Sequence, residues 1–140
     1  MTLGFKTQIK GKPTGFVDKI LAGEKVTTIR EDKKNRWKPK TKIHFATGVR
    51  TKNYKQFAEG ECTKVEQIAI RYLQPTRKTF GESKKIDNAL HEPHVYVNGD
   101  EIKGDKLEKL AKEDGFDSVE NFFEWFKGDF IGKIIHFKTI

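Results

Sequence analysis

Lys25, Thr28 and Arg30 bring an ammonium, a hydroxyl and a guanidinium into one short stretch of chain. Such a set can bind an anion or the polar edge of a base, and it can also attack a carbonyl. The alternative is a solvated strand face on which the same residues are ordinary polar side chains in water.

The elements that must position these groups are legible around them. Phe16, Val17, Ile20 and Leu21 recur at helical spacing, predicting a short amphipathic helix that begins after Thr14. Ala22-Gly23 fits its C-terminus, because glycine takes the left-handed conformation that a side chain resists. The β-branched run Val26, Thr27, Thr28, Ile29 then favours an extended chain. Alternation puts Thr27 and Ile29 on one face, with Ile29 in the core, and Val26, Thr28 and Arg30 on the other. Lys25 falls at the corner where helix becomes strand.

The chain has 140 residues, the size of one compact domain, and no repeat or Gly/Ser- or Pro-rich linker divides it. Hydrophobic residues make up 35% and charged residues 34%, and 11 Phe supply much of the material for a core. The formal charge of +8 favours a polyanionic partner such as nucleic acid. Cys62 stands alone, which excludes an intramolecular disulfide or a cysteine-rich zinc site and fits a reducing cytoplasm. No stretch approaches the roughly 18 apolar residues of a membrane helix, and Met1 to Lys10 lacks the apolar region of a signal peptide. The expectation is therefore a cytoplasmic protein with no membrane association.

Along the chain, Phe5 to Ile9 predicts a first strand, followed by a turn cluster at Gly11 to Gly15. Two basic loops each carry an aromatic residue. Lys33, Lys34, Arg36, Lys38 and Lys40 surround Trp37; Arg50, Lys52 and Lys55 accompany Tyr54. In both, rings can stack on bases while cations neutralise phosphate, although Trp37 can equally cap the edge of the core. Lys42 to Ala46 predicts a half-buried strand, and Cys62 to Tyr72 a long one. The change of parity between Val65 and Ile68 suggests a bulge or bend there. Gln74 to Pro93 predicts a long loop or insertion. His91, Glu92 and His94 resemble metal ligands, but without a fourth placed ligand no metal is expected, and the motifs ask for no cofactor. Asn98-Gly99 marks a tight turn between strands within Val95 to Ile102. Asp105 is placed to cap a helix through Ala111 that ends at Gly115, and Ser118 a second one carrying Val119, Phe122, Phe123 and Phe126. Ile131 to Ile140 closes the chain as a strand. Strands outnumber helices and pair non-locally, so the expected class is α+β: a small mixed β-barrel with helices flanking or plugging it.

The stretch Ile20-Leu21-Ala22-Gly23-Glu24-Lys25, with Thr28 and Arg30 after it, resembles the signature of the ASCH domain (activating-signal-cointegrator homology). Leu110-Ala111-Lys112-Glu113-Asp114-Gly115-Phe116, then Phe122-Phe123-Glu124-Trp125-Phe126 and Gly132 to Phe137, resembles the later blocks of that family. The resemblance spans nearly the whole chain and implies a PUA-like barrel that binds RNA or a modified nucleoside, with Arg30 also matching the family pattern; Trp37, Arg50, Lys52 and Tyr54 of the two basic loops are the further candidate contacts for nucleic acid. One branch of the family consists of small amidohydrolases that deacetylate N4-acetylcytidine through a lysine, a threonine and an acid. Lys25 and Thr28 match the first two positions, which implies that the Thr28 hydroxyl attacks the amide carbon once a base removes its proton, that Lys25 is that base where desolvation and a neighbouring cation disfavour its ammonium form, and that Arg30 supplies the cation or a donor to the developing oxyanion. Aligning on Ala111 places Asp114, with Glu113 beside it, where those enzymes carry Glu. Two functions thus stay open: a binding module for RNA or a modified nucleoside, and an amidohydrolase using Lys25, Thr28 and Asp114 or Glu113.

Overall fold

The structure, a computed structural model, describes residues 1–9, 11–73 and 92–140. Its elements run β1 (Thr2–Phe5), β2 (Gln8–Ile9), β3 (Lys12–Pro13), α1 (Phe16–Leu21), β4 (Thr27–Arg30), β5 (Lys42–Thr47), β6 (Lys55–Leu73), β7 (Glu92–Val97), β8 (Asp100–Ile102), α2 (Asp105–Glu113), α3 (Val119–Trp125) and β9 (Phe130–Thr139). Among the described residues, seven of these strands form one sheet, and β2 and β3 make a separate small hairpin. The fold is mixed α+β and dominated by that sheet.

Strand β6 is the spine. Its 19 residues pair with β5 over Lys55–Glu61 and with β7 over Ile68–Leu73, while β9 pairs with it over Gly60–Ile70. Gly60 and Glu61 pair with both β5 and β9, and Ile68 to Ile70 with both β7 and β9. A strand residue has only two neighbours in a sheet, so β5 and β7 must share one edge of β6 and β9 takes the other. Beyond them, β1 lies parallel to β5, β8 antiparallel to β7 and β4 antiparallel to β9.

The expected closed barrel is not what forms. Among the described residues no backbone pairing joins β4 to β1, so the sheet stays open along that seam. The seam is spanned instead by a side chain: Arg30 of β4 donates from a terminal guanidinium nitrogen to the Gly4 carbonyl of β1 at 2.6 Å.

Both faces of the central strands are buried, against two apolar clusters. Leu3, Phe5, Phe16, Ile20, Trp37, Ile43, Phe45, Cys62, Ile135 and Phe137 form one, which includes two residues of α1. Ile29, Ile68, Ile70, Val95, Leu110, Ala111, Phe122 and Ile134 form the other, which is covered by α2 and α3. Successive side chains on a strand point to opposite faces, so consecutive Ile134 and Ile135 enter different clusters. The same geometry explains the parity change between Val65 and Ile68. Val65 packs against the first cluster while Ile68 and Ile70 enter the second, so no bend is needed there. The register shifts lie elsewhere, between Cys62 and Lys64 opposite β9 and between Phe45 and Ala46 on β5.

Local signals held where backbone chemistry is restrictive. Asn98 and Gly99 take φ of 52° and 90° in the turn joining β7 to β8. The Ser118 hydroxyl accepts the Asn121 N–H at 3.1 Å and caps α3. Four expectations need correction. The long strand expected over Cys62 to Tyr72 begins at Lys55, within the stretch expected as the second basic loop. The first strand is displaced toward the N-terminus, ending at Phe5, and Gln8–Ile9 belongs to the small hairpin. Gly104, not Asp105, occupies the N-cap of α2, and Asp105 is the first residue inside a helix that runs to Glu113. Glu92 and Pro93 belong to β7, whereas residues 74–91, including His91, lie outside the described residues. His94 pairs with Glu101 at 2.7 Å, and among the described residues no group of three His, Cys, Asp or Glu is placed to hold a metal. No described helix is long and apolar enough to cross a membrane.

Phe122, fully buried, anchors α3 in the second cluster, whereas Phe123 is half-buried beside it. Phe122→Ala should therefore lower unfolding free energy by about 3–5 kcal/mol, and Phe123→Ala by clearly less. Denaturant melts of the two variants check the order; equal losses would contradict the placement of this helix.

Candidate functional site

The site begins with how α1 ends. Gly23 adopts φ 79°, and the Glu24 and Lys25 N–H groups both return to the Lys19 carbonyl, at 2.8 and 3.0 Å. Val26 N–H then donates to the Glu113 carbonyl at 2.8 Å, which ties the corner before β4 to the end of α2. This pinning turns the Lys25 side chain inward, where it is only 3% exposed.

A buried ammonium requires acceptors. Lys25 Nζ donates to the Thr27 carbonyl at 2.8 Å and to the Asp114 carbonyl at 2.5 Å, and lies 3.6 Å from Asp114 Oδ1. Asp114 is the C-cap of α2, so Lys25 places positive charge where the helix's last carbonyls and dipole favour it. Lys19 adds a second cation there, donating to the Gly115 carbonyl at 2.8 Å and pairing with Asp117. The Phe16 ring lies 4.7 Å from Lys25 Nζ, a cation–π contact. Gly115, with φ 95°, leaves the room this requires: a Cβ there would sit 2.9 Å from Lys25 Cδ and 3.1 Å from the Phe16 ring.

Thr28 and Arg30 share the opposite strand face, as alternation requires. Arg30 Nε donates to Thr28 Oγ1 at 3.1 Å, which leaves the Thr28 proton available for donation. The guanidinium also lies over the Phe5 ring, 5.1 Å from its centroid. Lys25, Thr28, Arg30 and Asp114 all line one cleft of about 820 Å³, walled by Phe5, Phe16, Phe116 and Trp125. Edge-to-face and tilted contacts among Phe16, Phe116 and Trp125, with centroids 5.4–5.7 Å apart, hold that aromatic wall in shape.

Burial dominates the electrostatics. It lowers Lys25 to about 8, with Arg30 pushing the same way and Asp114 opposing. It raises Asp114 above the usual carboxylate range, against the pull of Lys25, Thr27 and Arg30. Arg30 is lowered by burial as well, while Asp114 supports its charge. At pH 7 the Lys25 ammonium is still the majority form. No hydrogen bond joins Lys25 to Thr28 among the described residues, so this geometry holds the amine as a donor and not as a base poised on the hydroxyl.

The other sequence candidates separate into those near the cleft and those away from it. Glu113 contributes its backbone carbonyl, and its side chain does not line the cleft. Trp37 is 7% exposed and sits in the first apolar cluster, so its indole is not offered to a base. Asp32 holds it there, accepting the Arg36 and Trp37 N–H groups at 2.8 and 2.9 Å while pairing with Lys133. Arg50 and Lys52 are exposed on a loop whose Thr47, Gly48, Val49, Thr51 and Asn53 border the cleft, and Tyr54 beside them is 49% exposed. Sequence reasoning missed Thr27, which is fully buried and donates to Asp114 Oδ1 at 3.0 Å. A hydroxyl on the face assigned to the core was the available signal, because a buried hydroxyl needs a partner. It also missed the aromatic wall, whose members come from three separate stretches of chain.

Two outcomes follow from this geometry. Lys25 has a folded pKa of about 8 against an ordinary 10.5, so between those values the unfolded chain binds the extra proton. Stability contributed by this group therefore rises with pH across that window, by up to about 3 kcal/mol. Asp114 has the opposite sign: its raised value removes stability as pH climbs above the ordinary carboxylate range. Denaturant stability measured at pH 8 and 10 should show the alkaline gain in the wild type and lose it in Lys25→Met; identical pH dependence would contradict the burial of a charged amine. Separately, Gly115→Ala should cost about 1–3 kcal/mol, and a Lys25 midpoint unchanged in that variant would show that the cavity tolerates a methyl.

No protein-family model, curated protein or solved structure matches this chain.

Proposed function

We propose that the chain is a PUA-like module of the ASCH type whose cleft receives one modified nucleoside, free or carried in RNA. The observation that carries this reading is the convergence of Lys25, Thr28, Arg30 and Asp114 on a single aromatic-walled cleft. Ligand sites of about 300–1,000 Å³ with apolar walls and a few convergent polar groups suit small planar ligands. Here the aromatic wall supplies stacking surface, and Arg30 and Thr28 supply donors for the polar edge of a base. The exposed Arg50 and Lys52 on the bordering loop suit the phosphates of flanking nucleotides. Burial of Trp37 takes its ring out of reach of a base, which favours the cleft over the open basic surface.

A second reading, hydrolysis of an acylated nucleoside such as N4-acetylcytidine, is favoured by the Thr28 hydroxyl. Thr28 lines the cleft, with Arg30 donating to its hydroxyl oxygen. In that reaction Thr28 Oγ1 bonds to the acetyl carbon and its proton passes to a base. The C–N bond then breaks as the amine takes up a proton, and water hydrolyses the acyl ester. Lys25 can act as the base only after releasing its own proton, so activity should grow with pH through about 8.

Titration with cytidine, N4-acetylcytidine and a short single-stranded RNA, followed by Trp125 fluorescence, tests binding. Quenching by a nucleoside, and salt-sensitive binding of the RNA, are the expected results. No response to any of the three at low salt would refute the cleft as a nucleoside site. For the hydrolytic reading, Thr28→Val should abolish product release by several orders of magnitude while costing only about 1 kcal/mol of stability. Wild-type binding without turnover would leave a binding module alone.

A further inference from the structure

Thr27 lies on the strand face that carries Ile29 into the core, and neither strand propensity nor apolar packing asks for a hydroxyl there; a valine has the same shape. Yet Thr27 Oγ1 donates to Asp114 Oδ1 at 3.0 Å, while the Thr27 carbonyl accepts from Lys25 Nζ at 2.8 Å. One residue thus holds the acid through its side chain and the amine through its main chain.

We propose that Thr27 is a positioning residue, whose hydroxyl and carbonyl hold the Asp114 carboxyl and the Lys25 amine against one another and so favour the ion pair at the cleft. A hydroxyl that donates to a carboxylate favours the ionised acid. Asp114 otherwise faces Lys25 at the corner before β4 and Arg30 on β4, with Lys19 of α1 beyond Lys25. His136, opposite Thr27 on β9, is engaged by Glu66 at 2.6 Å. Lys25 also approaches the carboxyl, at 3.6 Å, so the Thr27 hydroxyl at 3.0 Å is the closer side-chain donor. Without it the neutral acid gains, and a neutral Asp114 no longer supports the Lys25 ammonium. Both groups then move toward the uncharged pair.

The test is an NMR titration of the Asp114 carboxyl and the Lys25 amine in the ligand-free chain. Thr27→Val should raise the Asp114 midpoint by about one pH unit or more and lower that of Lys25, whereas Thr27→Ser should leave both near the wild type. Should Thr27→Val fail to fold, Thr27→Cys, a weaker donor, should give the same shifts in smaller measure. Unchanged midpoints in the folded Val or Cys variant overturn the proposal. The consequence for ligand rests on the reading of the cleft given above: the pH profile of N4-acetylcytidine binding should move with the Asp114 midpoint. Shifted midpoints with no nucleoside binding in any variant would uphold the role of Thr27 and refute the cleft reading alone.

Discussion

An ammonium can leave water only where acceptors are already fixed, and in this chain they are fixed by two segments far apart in sequence. Lys25 takes one carbonyl from the strand that follows it and another from the end of α2, with the Asp114 carboxylate alongside. Burying the charge without these partners would cost several kcal/mol. The corner between α1 and β4 and the turn after α2 therefore depend on each other. Gly115, the Val26 to Glu113 hydrogen bond and the Phe16 ring all serve the same junction. The site is built around this junction, and its chemistry follows from what the junction makes necessary.

The open seam of the sheet is the second organising feature. Arg30 crosses from β4 to the Gly4 carbonyl of β1, and the cleft is lined by residues from both strands, among them Gly4, Phe5, Thr28 and Arg30. Backbone pairing along that line would bring β1 and β4 to ordinary strand spacing, with no room for a concavity between them. A bridging side chain keeps the edges associated and the space accessible. One residue thereby contributes to the integrity of the sheet and to the polar lining of the cleft, so changes at Arg30 cannot separate the two effects without a second measurement.

Much of this was legible in the sequence because the relevant signals are local. The end of α1 at Gly23, the faces of β4, the Asn98-Gly99 turn and the Ser118 cap follow from φ preferences, alternation and hydroxyl chemistry within a few residues. Lys25, Thr28, Arg30 and Asp114 were singled out, and they meet in one cleft. What was not legible depends on long-range partners. Trp37 among its lysines reads equally as a stacking ring or as a cap on the core edge, and only Asp32 and Lys133, which hold its loop against the core, decide for the second. Thr27 reads as a core-facing strand residue until α2 delivers Asp114 to it. The parity change in β6 reads as a bulge because a single sequence does not show that both faces of a strand are buried. The open seam was missed for a similar reason: strand content predicts pairing but not whether the last two edges meet.

Strand β6 carries a consequence for how the molecule comes apart. Its first part belongs to the pairing with β5 and the first apolar cluster, its last part to the pairing with β7 and the second, and β9 runs beside both. Neither cluster has a complete wall without this pair of strands. Loosening one end of β6 strips backbone partners and packing from elements that bury the other end, so the two cores share one opening event and not two. The amides midway along β6 and β9 then exchange with solvent only when the whole sheet is lost, while β8, at the sheet's edge, is free to fray alone. A protein with two apolar clusters would ordinarily invite division into two folding units; here a single uninterrupted strand makes them one.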